Sequence, residues 1–532
     1  MALAAAMLSG CGSSEPPAPP PPTLTIDALT DPLTCKACHV QHYQEWSASM
    51  HAYASRDPVF LAMNRRGQEE TGGALGELCV KCHAPMAVQS GATTDGLNLA
   101  SLPDKLQGVT CYFCHNAAAV EGTHNNPIRL ANDATMRGGF KNPVANPAHS
   151  SEYSLLMSGS AGESATLCGS CHDIVLPSPP APPPTKGEPV QLERTFSEWQ
   201  SSLFAVGPDA GPTGLACGAC HMPPPPPPFK SFGPAADTPG LMVQARNLHE
   251  HLFPGADVAL TPFPATGDGE EDAMLEARNR SRVELLLSNT VQVKQICVHA
   301  VGDDRSRIGI QLENIGAGHF WPSGASHDRR AWVEVKAYLD GAPDPVYQSG
   351  AVMDGDDVTK IDDVDLWIFR DKVTGVGDKE AHMFWDVADS QPGMMPVAVT
   401  RDTTKPEFYK NHVYREFPRA TSATIPVPPD RQRLRVTVTV RLLPIGFDVL
   451  DDLIGTGHLD PALRAKMPVF DLHPNQNLAV NPTVLAKTPE LASLAEVSFE
   501  WSEAVRKSGY FLTAVNTVGA VQQDCVGMKS PR

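Results

Sequence analysis

One five-residue pattern occurs five times between Cys35 and His221. It reads Cys35-Lys36-Ala37-Cys38-His39, Cys79-Val80-Lys81-Cys82-His83, Cys111-Tyr112-Phe113-Cys114-His115, Cys168-Gly169-Ser170-Cys171-His172 and Cys217-Gly218-Ala219-Cys220-His221. Two thiols spanning one helical turn, with an imidazole directly after the second, suit one task above others. The thiols add across the vinyl groups of a haem, and the His falls under the iron. Cys pairs of this spacing also hold zinc or close disulfides. Zinc sites pair their knuckles, however, and five is odd. Neither zinc nor a disulfide requires a His after each second Cys. With 18 His in 532 residues, five such coincidences have a chance probability on the order of one in ten million or less. The pattern therefore predicts five covalently attached c-type haems. Their proximal ligands are His39, His83, His115, His172 and His221.

These motifs take ten of the 13 Cys, leaving Cys11, Cys297 and Cys525. Cys297 and Cys525 have no neighbouring Cys. They would either pair with each other or, as the reading preferred here, stay as inert buried thiols. Thioether attachment takes place outside the bacterial cytoplasm, so the protein is expected to be exported. The net charge of −18 argues against a nucleic-acid partner, which needs a basic surface. Redox proteins are the expected partners.

Residues 1–22 read as a targeting segment and spacer. The apolar stretch from Met1 to Leu8 leads into Leu8-Ser9-Gly10-Cys11, which resembles a lipoprotein processing box, although no Lys or Arg precedes it. Cys11 would carry the lipid, and the prolines after it form a stiff spacer. The expected product is a periplasmic or cell-surface lipoprotein held to the membrane by its lipid.

Residues 23–255 hold the motifs at spacings too irregular for a solenoid. Little polypeptide is available per cofactor, so the porphyrins themselves must supply the core. Short helices are expected after several motifs, one running from His39 to Ala54. The stretches Pro177 to Pro189 and Pro223 to Pro228 read as surface loops. Residues 256–290 read as a helical connector. From 291 to 532 the hydrophobic period falls to two, as in Ile308, Ile310 and Leu312, in Val333, Val335, Ala337 and Leu339, and in Leu434, Val436, Val438, Val440 and Leu442. Half-buried strands of this kind, separated by turns, predict an antiparallel β-sandwich with an irregular C-terminal tail. The fold class is thus α+β and multidomain, an irregular, short-helical haem domain followed by a β-sandwich.

Several further segments resemble bacterial multihaem c-type cytochromes of the broad tetrahaem cytochrome c-554-like group, with an appended β-domain. They are Trp46-Ser47-Ala48-Ser49-Met50-His51-Ala52, Gly108-Val109-Thr110 before the third motif, Thr195-Phe196-Ser197-Glu198-Trp199 before the fifth, His251-Leu252-Phe253-Pro254-Gly255, and Gly318-His319-Phe320-Trp321-Pro322-Ser323-Gly324. The resemblance implies haems with two His ligands each. It points to His51, His124, His149, His251 and His319 as the distal set. If residues 39 to 51 are helical, twelve residues at about 1.5 Å each put His51 roughly 18 Å from His39. It would then serve a different haem. His42, His382, His412, His458 and His473 read as surface or capping residues.

The reading that follows is a pentahaem protein relaying electrons through closely packed haems, with no catalytic residue assigned. The alternative is an oxidoreductase acting on a small nitrogen or sulfur compound at one haem with an open distal side. A third arrangement, a homo-oligomer or filament, would still transfer electrons.

Overall fold

The computed structural model describes residues 23–472, 495–500 and 511–514, except for 160, 177–188, 206–213, 238–242, 265–267, 302, 401–403, 406–410, 420–422 and 430. Cys11, Cys525, His473 and most of the first proline-rich loop lie outside the described residues. No helix among those described is long and apolar enough to cross a membrane.

The fold is α+β. The C-terminal half is a sandwich of two antiparallel sheets. In one, the strands His412–Phe417, Arg305–Asn314, Val291–Val301 and Phe511–Ala514 lie side by side. In the other the order is Tyr347–Ser349, Arg330–Leu339, Arg433–Leu443 and Phe470–Leu472. The alternation in the sequence sets the register. Val333 faces Val440 and Val335 faces Val438 across the central pair. They share one fully buried core with Ile296, Ile308 and Ile310 of the other sheet. A one-residue slip would turn this entire set out to water. Cys297 is buried and disulfide-bonded, so it is not the inert thiol expected.

The motif region has no comparable core. Its buried apolar residues fall into small separate patches. Leu29, Tyr112, Phe113 and Ile128 form one, Phe60, Val80 and Leu99 a second, and Phe196 and Trp199 a third. Short helices connect them. The expected helix from His39 to Ala54 is two helices, Val40–Ser47 and Met50–Tyr53. Ser49 breaks the run: its backbone is extended, and its hydroxyl caps the second helix by accepting from Ala52 N at 3.3 Å.

One long helix, Gly269–Leu287, joins the halves. Asp268 caps it by accepting from the amides of Glu270 and Glu271. Its buried stripe of Leu275, Asn279, Val283 and Leu287 follows the i, i+4 spacing of one helix face. Leu275 packs on Ala48 and Leu252 in the motif region, whereas Val283 and Leu287 enter the sandwich core. Arg278 reaches the fully buried carboxylates of Glu45 and Glu250, and Arg282 pairs with Glu250 at 2.8 Å. A second tie is the helix Pro58–Glu70, whose Val59 and Ala62 pack with Phe447, Leu450 and Leu453. Arg66 adds an ion pair to Asp452 at 3.0 Å.

Candidate haem centres

Four motifs end on a turn of helix that carries the final His, whereas in the first the helix Pro32–Lys36 stops short and His39 precedes the helix Val40–Ser47. In four of the five, the ring Nδ1 faces a backbone carbonyl. His39 faces Ala235 O at 2.7 Å, His83 faces Ala54 O at 3.0 Å, His115 faces Arg137 O at 2.7 Å and His221 faces Pro254 O at 2.7 Å. A carbonyl can only accept, so Nδ1 carries the proton and Nε2 is left with a free lone pair. That is the tautomer a metal requires. Burial lowers the pKa of each of these rings and keeps them neutral.

Four motif histidines face a second imidazole. The pairs are His39 with His149 at 6.4 Å between ring centroids, His172 with His51 at 6.3 Å, His115 with His251 at 6.4 Å and His221 with His319 at 6.4 Å. With metal–imidazole bonds of about 2.0 Å, two rings holding one ion between them have centroids roughly 6.3 Å apart. The spacing is too wide for ring stacking and fits an iron between the rings. His149, His251 and His319 also turn Nδ1 to a carbonyl, at 3.0, 2.9 and 2.7 Å.

Each second imidazole has its own support. Beneath His51, Gly108 adopts φ +68, and a Cβ there would lie 2.7 Å from His51 O. Val109 N donates to His51 O at 2.8 Å, and Trp46 Nε1 donates to Val109 O at 2.8 Å. His251 N donates to Glu45 Oε2 at 3.0 Å. His319 projects from a loop that leaves the sandwich at Asn314, whose amide donates to His319 O at 2.8 Å. Gly316 passes so close to Asn289 O that a Cβ would be 2.1 Å from it. Glu198 accepts from Phe320 N at 3.2 Å and from Ser323 Oγ at 2.7 Å, and Thr195 Oγ1 accepts from Gly324 N at 3.0 Å. Nothing in the sequence named Thr195 and Glu198 as the clasp on the His319 loop, although both lie in a segment already singled out. Burial pushes Glu198 up to about 7.

The second motif differs. His83 is stacked face to face on Phe60 at 4.0 Å, and it has no imidazole opposite it among the described residues. His124, expected as a distal ligand, is an exposed turn residue beside Thr123 Oγ1 and makes no ring contact with a motif His. Its neighbours account for this. Asn125 and Asn126 adopt φ 56 and 51. Their backbone amides donate to Asp173 O and Ser170 O, and the Asn126 side chain donates to Lys81 O. The turn is pinned through its asparagines, and His124 is left outside. His42, expected at the surface, instead packs between His39 and His251, with ring centroids 6.1 and 4.9 Å away. His412 is likewise buried, its Nε2 3.3 Å from Glu313 Oε1.

Residues 34–116 match the family model described as cytochrome c554 and c-prime, which takes in the first three motifs and His51. Over that stretch the chain is similar to multihaem c-type cytochromes. It is similar to the crystal structure of a penta-heme cytochrome c552 from Thermochromatium tepidum, at 18% identity with a TM-score of 0.49, over 82% of this chain and 96% of that one. No curated protein matches it.

The thiols of the chain also show how its motifs adjoin. The thiol of Cys35 adjoins that of Cys111, Cys82 adjoins Cys171, and Cys168 adjoins Cys217. Cys114 lies within electrostatic reach of Cys168 and Cys171. The fourth motif is therefore a hub that meets the second, third and fifth, and the first motif adjoins the third. Near His83 the chain gathers ionisable groups. Asp257 forms a two-bond ion pair with Arg329 at 2.8 and 3.0 Å, and its charge reaches both His83 and His172. Glu193 lies within reach of Cys82 and Arg329, and burial raises it to about 7.

Proposed function

We propose that this exported cytochrome carries five haems, four of them relaying electrons to or from the fifth, where a small molecule is oxidised or reduced. One observation carries the reading. Four motif histidines face a second imidazole at 6.3–6.4 Å, whereas His83 faces none among the described residues. His149, His51, His251 and His319 would close the haems of His39, His172, His115 and His221. Those haems could then pass electrons but not bind a substrate. His83 would hold its haem without a second imidazole from the described residues, and that haem would supply both an electron and a place for a small ligand. The protein's part is proton supply and orientation. Asp257, which Arg329 pairs with, and Glu193 are the acidic groups within electrostatic reach of that motif, and one-electron steps on small nitrogen or sulfur compounds consume or release protons. Cys11 would tether the protein to a membrane by its lipid.

The test is spectroscopic. The ferric protein should hold about one high-spin haem in five, and the dithionite-reduced form should take up about one carbon monoxide per chain. A wholly low-spin protein that binds no carbon monoxide would leave a pure relay in its place.

A further inference from the structure

The sandwich carries a cleft of its own, of about 540 Å³, lined by Arg307, Trp367, Tyr414, Arg415, Glu416 and Arg419. A volume of that order suits a small organic ligand. The cleft opens at the strand His412–Phe417, which lies at the edge of its sheet and pairs with Arg305–Asn314. All of these residues belong to the sandwich, so its own packing shapes the cleft.

Strand alternation divides the lining between two faces. Tyr414 and Glu416 share one face, and the Tyr414 hydroxyl donates to Glu416 Oε1 at 2.9 Å. Gly309 makes room for it, since a Cβ there would lie 2.6 Å from that hydroxyl. Arg307 reaches Glu416 Oε2 at 3.4 Å, and His299 Nε2 lies 3.9 Å from Oε1. Arg415 takes the other face with Phe417. Its guanidinium stands 5.9 Å from the centre of the Trp367 ring and 5.8 Å from that of Phe417. Arg419 has an exposed side chain and is placed by its backbone amide, which donates to Asp365 Oδ1 at 2.7 Å.

Three guanidinium groups thus meet one carboxylate, in a chain whose net charge is −18. Tyr414 and Arg307 occupy that carboxylate. Neither Arg415 nor Arg419 makes an ion pair among the described residues, and Arg415 Nε is buried with no hydrogen-bond partner. A buried donor left unpaired is costly, and more so when charged. Burial and the charge of Arg419 both disfavour the charge on Arg415. Asp365 and Asp363 offset this from outside the lining, where they accept from Tyr347, Ser349 and Gly350.

We propose that this cleft binds a small organic molecule carrying a phosphate monoester, with the dianion between Arg415 and Arg419 and the organic part against Trp367 and Tyr414. Three positive charges less one carboxylate leave two. A phosphate monoester supplies about −1.5 to −2 at neutral pH, whereas one carboxylate supplies a single charge. The planar fork of arginine also matches phosphate oxygens two at a time. The site is independent of the reaction proposed at His83.

The test is calorimetric titration of the full haem-loaded chain, with phenyl phosphate, inorganic phosphate and benzoate as probes. Phenyl phosphate should bind at one site per chain, about tenfold more tightly than either of the others. Arg419→Gln should weaken it about tenfold or more, and so should Arg415→Lys, which keeps the charge and loses the fork. Arg419 is exposed, so its variant reports on binding even where Arg415→Lys disturbs the sheet edge. Arg433→Gln, at an exposed arginine on another strand, should stay within about twofold. A parent that fails to bind phenyl phosphate at millimolar concentration overturns the proposal, and so does unchanged affinity in Arg419→Gln. Benzoate binding as tightly as phenyl phosphate would overturn it in favour of a single carboxylate. Capture by phosphatidic acid vesicles that Arg419→Gln abolishes, with no binding of phenyl phosphate, would overturn it in favour of a lipid headgroup.

Discussion

His319 lies over His221 with its ring plane 14° from parallel and the centroids 6.4 Å apart, although the two side chains come from different halves of the molecule. His221 ends a motif in the haem region, and His319 sits on a loop of the sandwich. Axial ligation across this gap would make the two halves one unit. A His319→Ala variant should therefore turn about one further haem in five high-spin. It should also speed proteolysis around residues 256–290, as seen by mass spectrometry of timed digests. A spectrum identical to the parent's would show that His319 is no ligand.

The loop depends on the strand that launches it. Glu313, just before Asn314, accepts from Gln292 at 2.8 Å, from Lys294 and Asn411 at 3.0 Å, and contacts His412 at 3.3 Å. Burial alone would raise its pKa, but the bonds from His412, Lys294 and Gln292 outweigh it and pull the carboxyl down to about 2. A depressed carboxyl contributes stability above its unfolded value, near pH 4, and loses it as pH falls towards 2. Glu313→Gln should cost about 2 kcal/mol at neutral pH. It should also flatten the pH dependence of unfolding between those limits in denaturant titrations. A parent and variant that lose stability in parallel across that window would remove Glu313 as its source.

The parts of this structure that were legible in the sequence are those with a local rule. The alternation of Val436, Val438 and Val440 reports a half-buried strand because the side-chain period is two. The rise of one helix was the ground for separating His51 from His39; Ser49 breaks that helix, and His51 still lies beside His172. Ser49 was not recognised as a cap, because a Ser within a helical pattern is ambiguous until the backbone is seen to turn extended. Long-range placement was less accessible. His124 reads as a free imidazole near the third motif, and only the left-handed Asn125 and Asn126 reveal that its turn faces water. Glu198 was part of a named segment, but its partner loop lies more than a hundred residues away. The disulfide of Cys297 was no more readable, since a thiol's partner is set by the fold.

Phe60 is the residue that holds His83 in place. The two rings are parallel within 3° and 4.0 Å apart, and Phe60 is buried with Val80 and Leu99. Phe60→Ala should cost about 3 kcal/mol through the cavity it leaves. It should also free the His83 ring to rotate. Carbon monoxide dissociation from the reduced protein should then become heterogeneous. A single unchanged dissociation phase would mean that Ala54 O alone fixes the ring.

Because the motif region buries only small apolar patches, its stability must come from what the thiols hold. Tyr112 and Phe113 sit inside the third motif and are among the largest fully buried side chains of the region. Cys111 meets Cys35 of the first motif, and Cys114 lies near the fourth. A chain whose third motif cannot attach haem loses the group that joins first to fourth. Folding and cofactor attachment are coupled in such a case, as they are for small metal domains. Changing both Cys111 and Cys114 to Ser should therefore yield a degraded or unfolded product, not a stable protein with four haems. Expression followed by size-exclusion chromatography and haem quantitation decides it. A compact monomer with four haems per chain would mean that the patches around Leu29, Ile128 and Leu130 form a sufficient core by themselves.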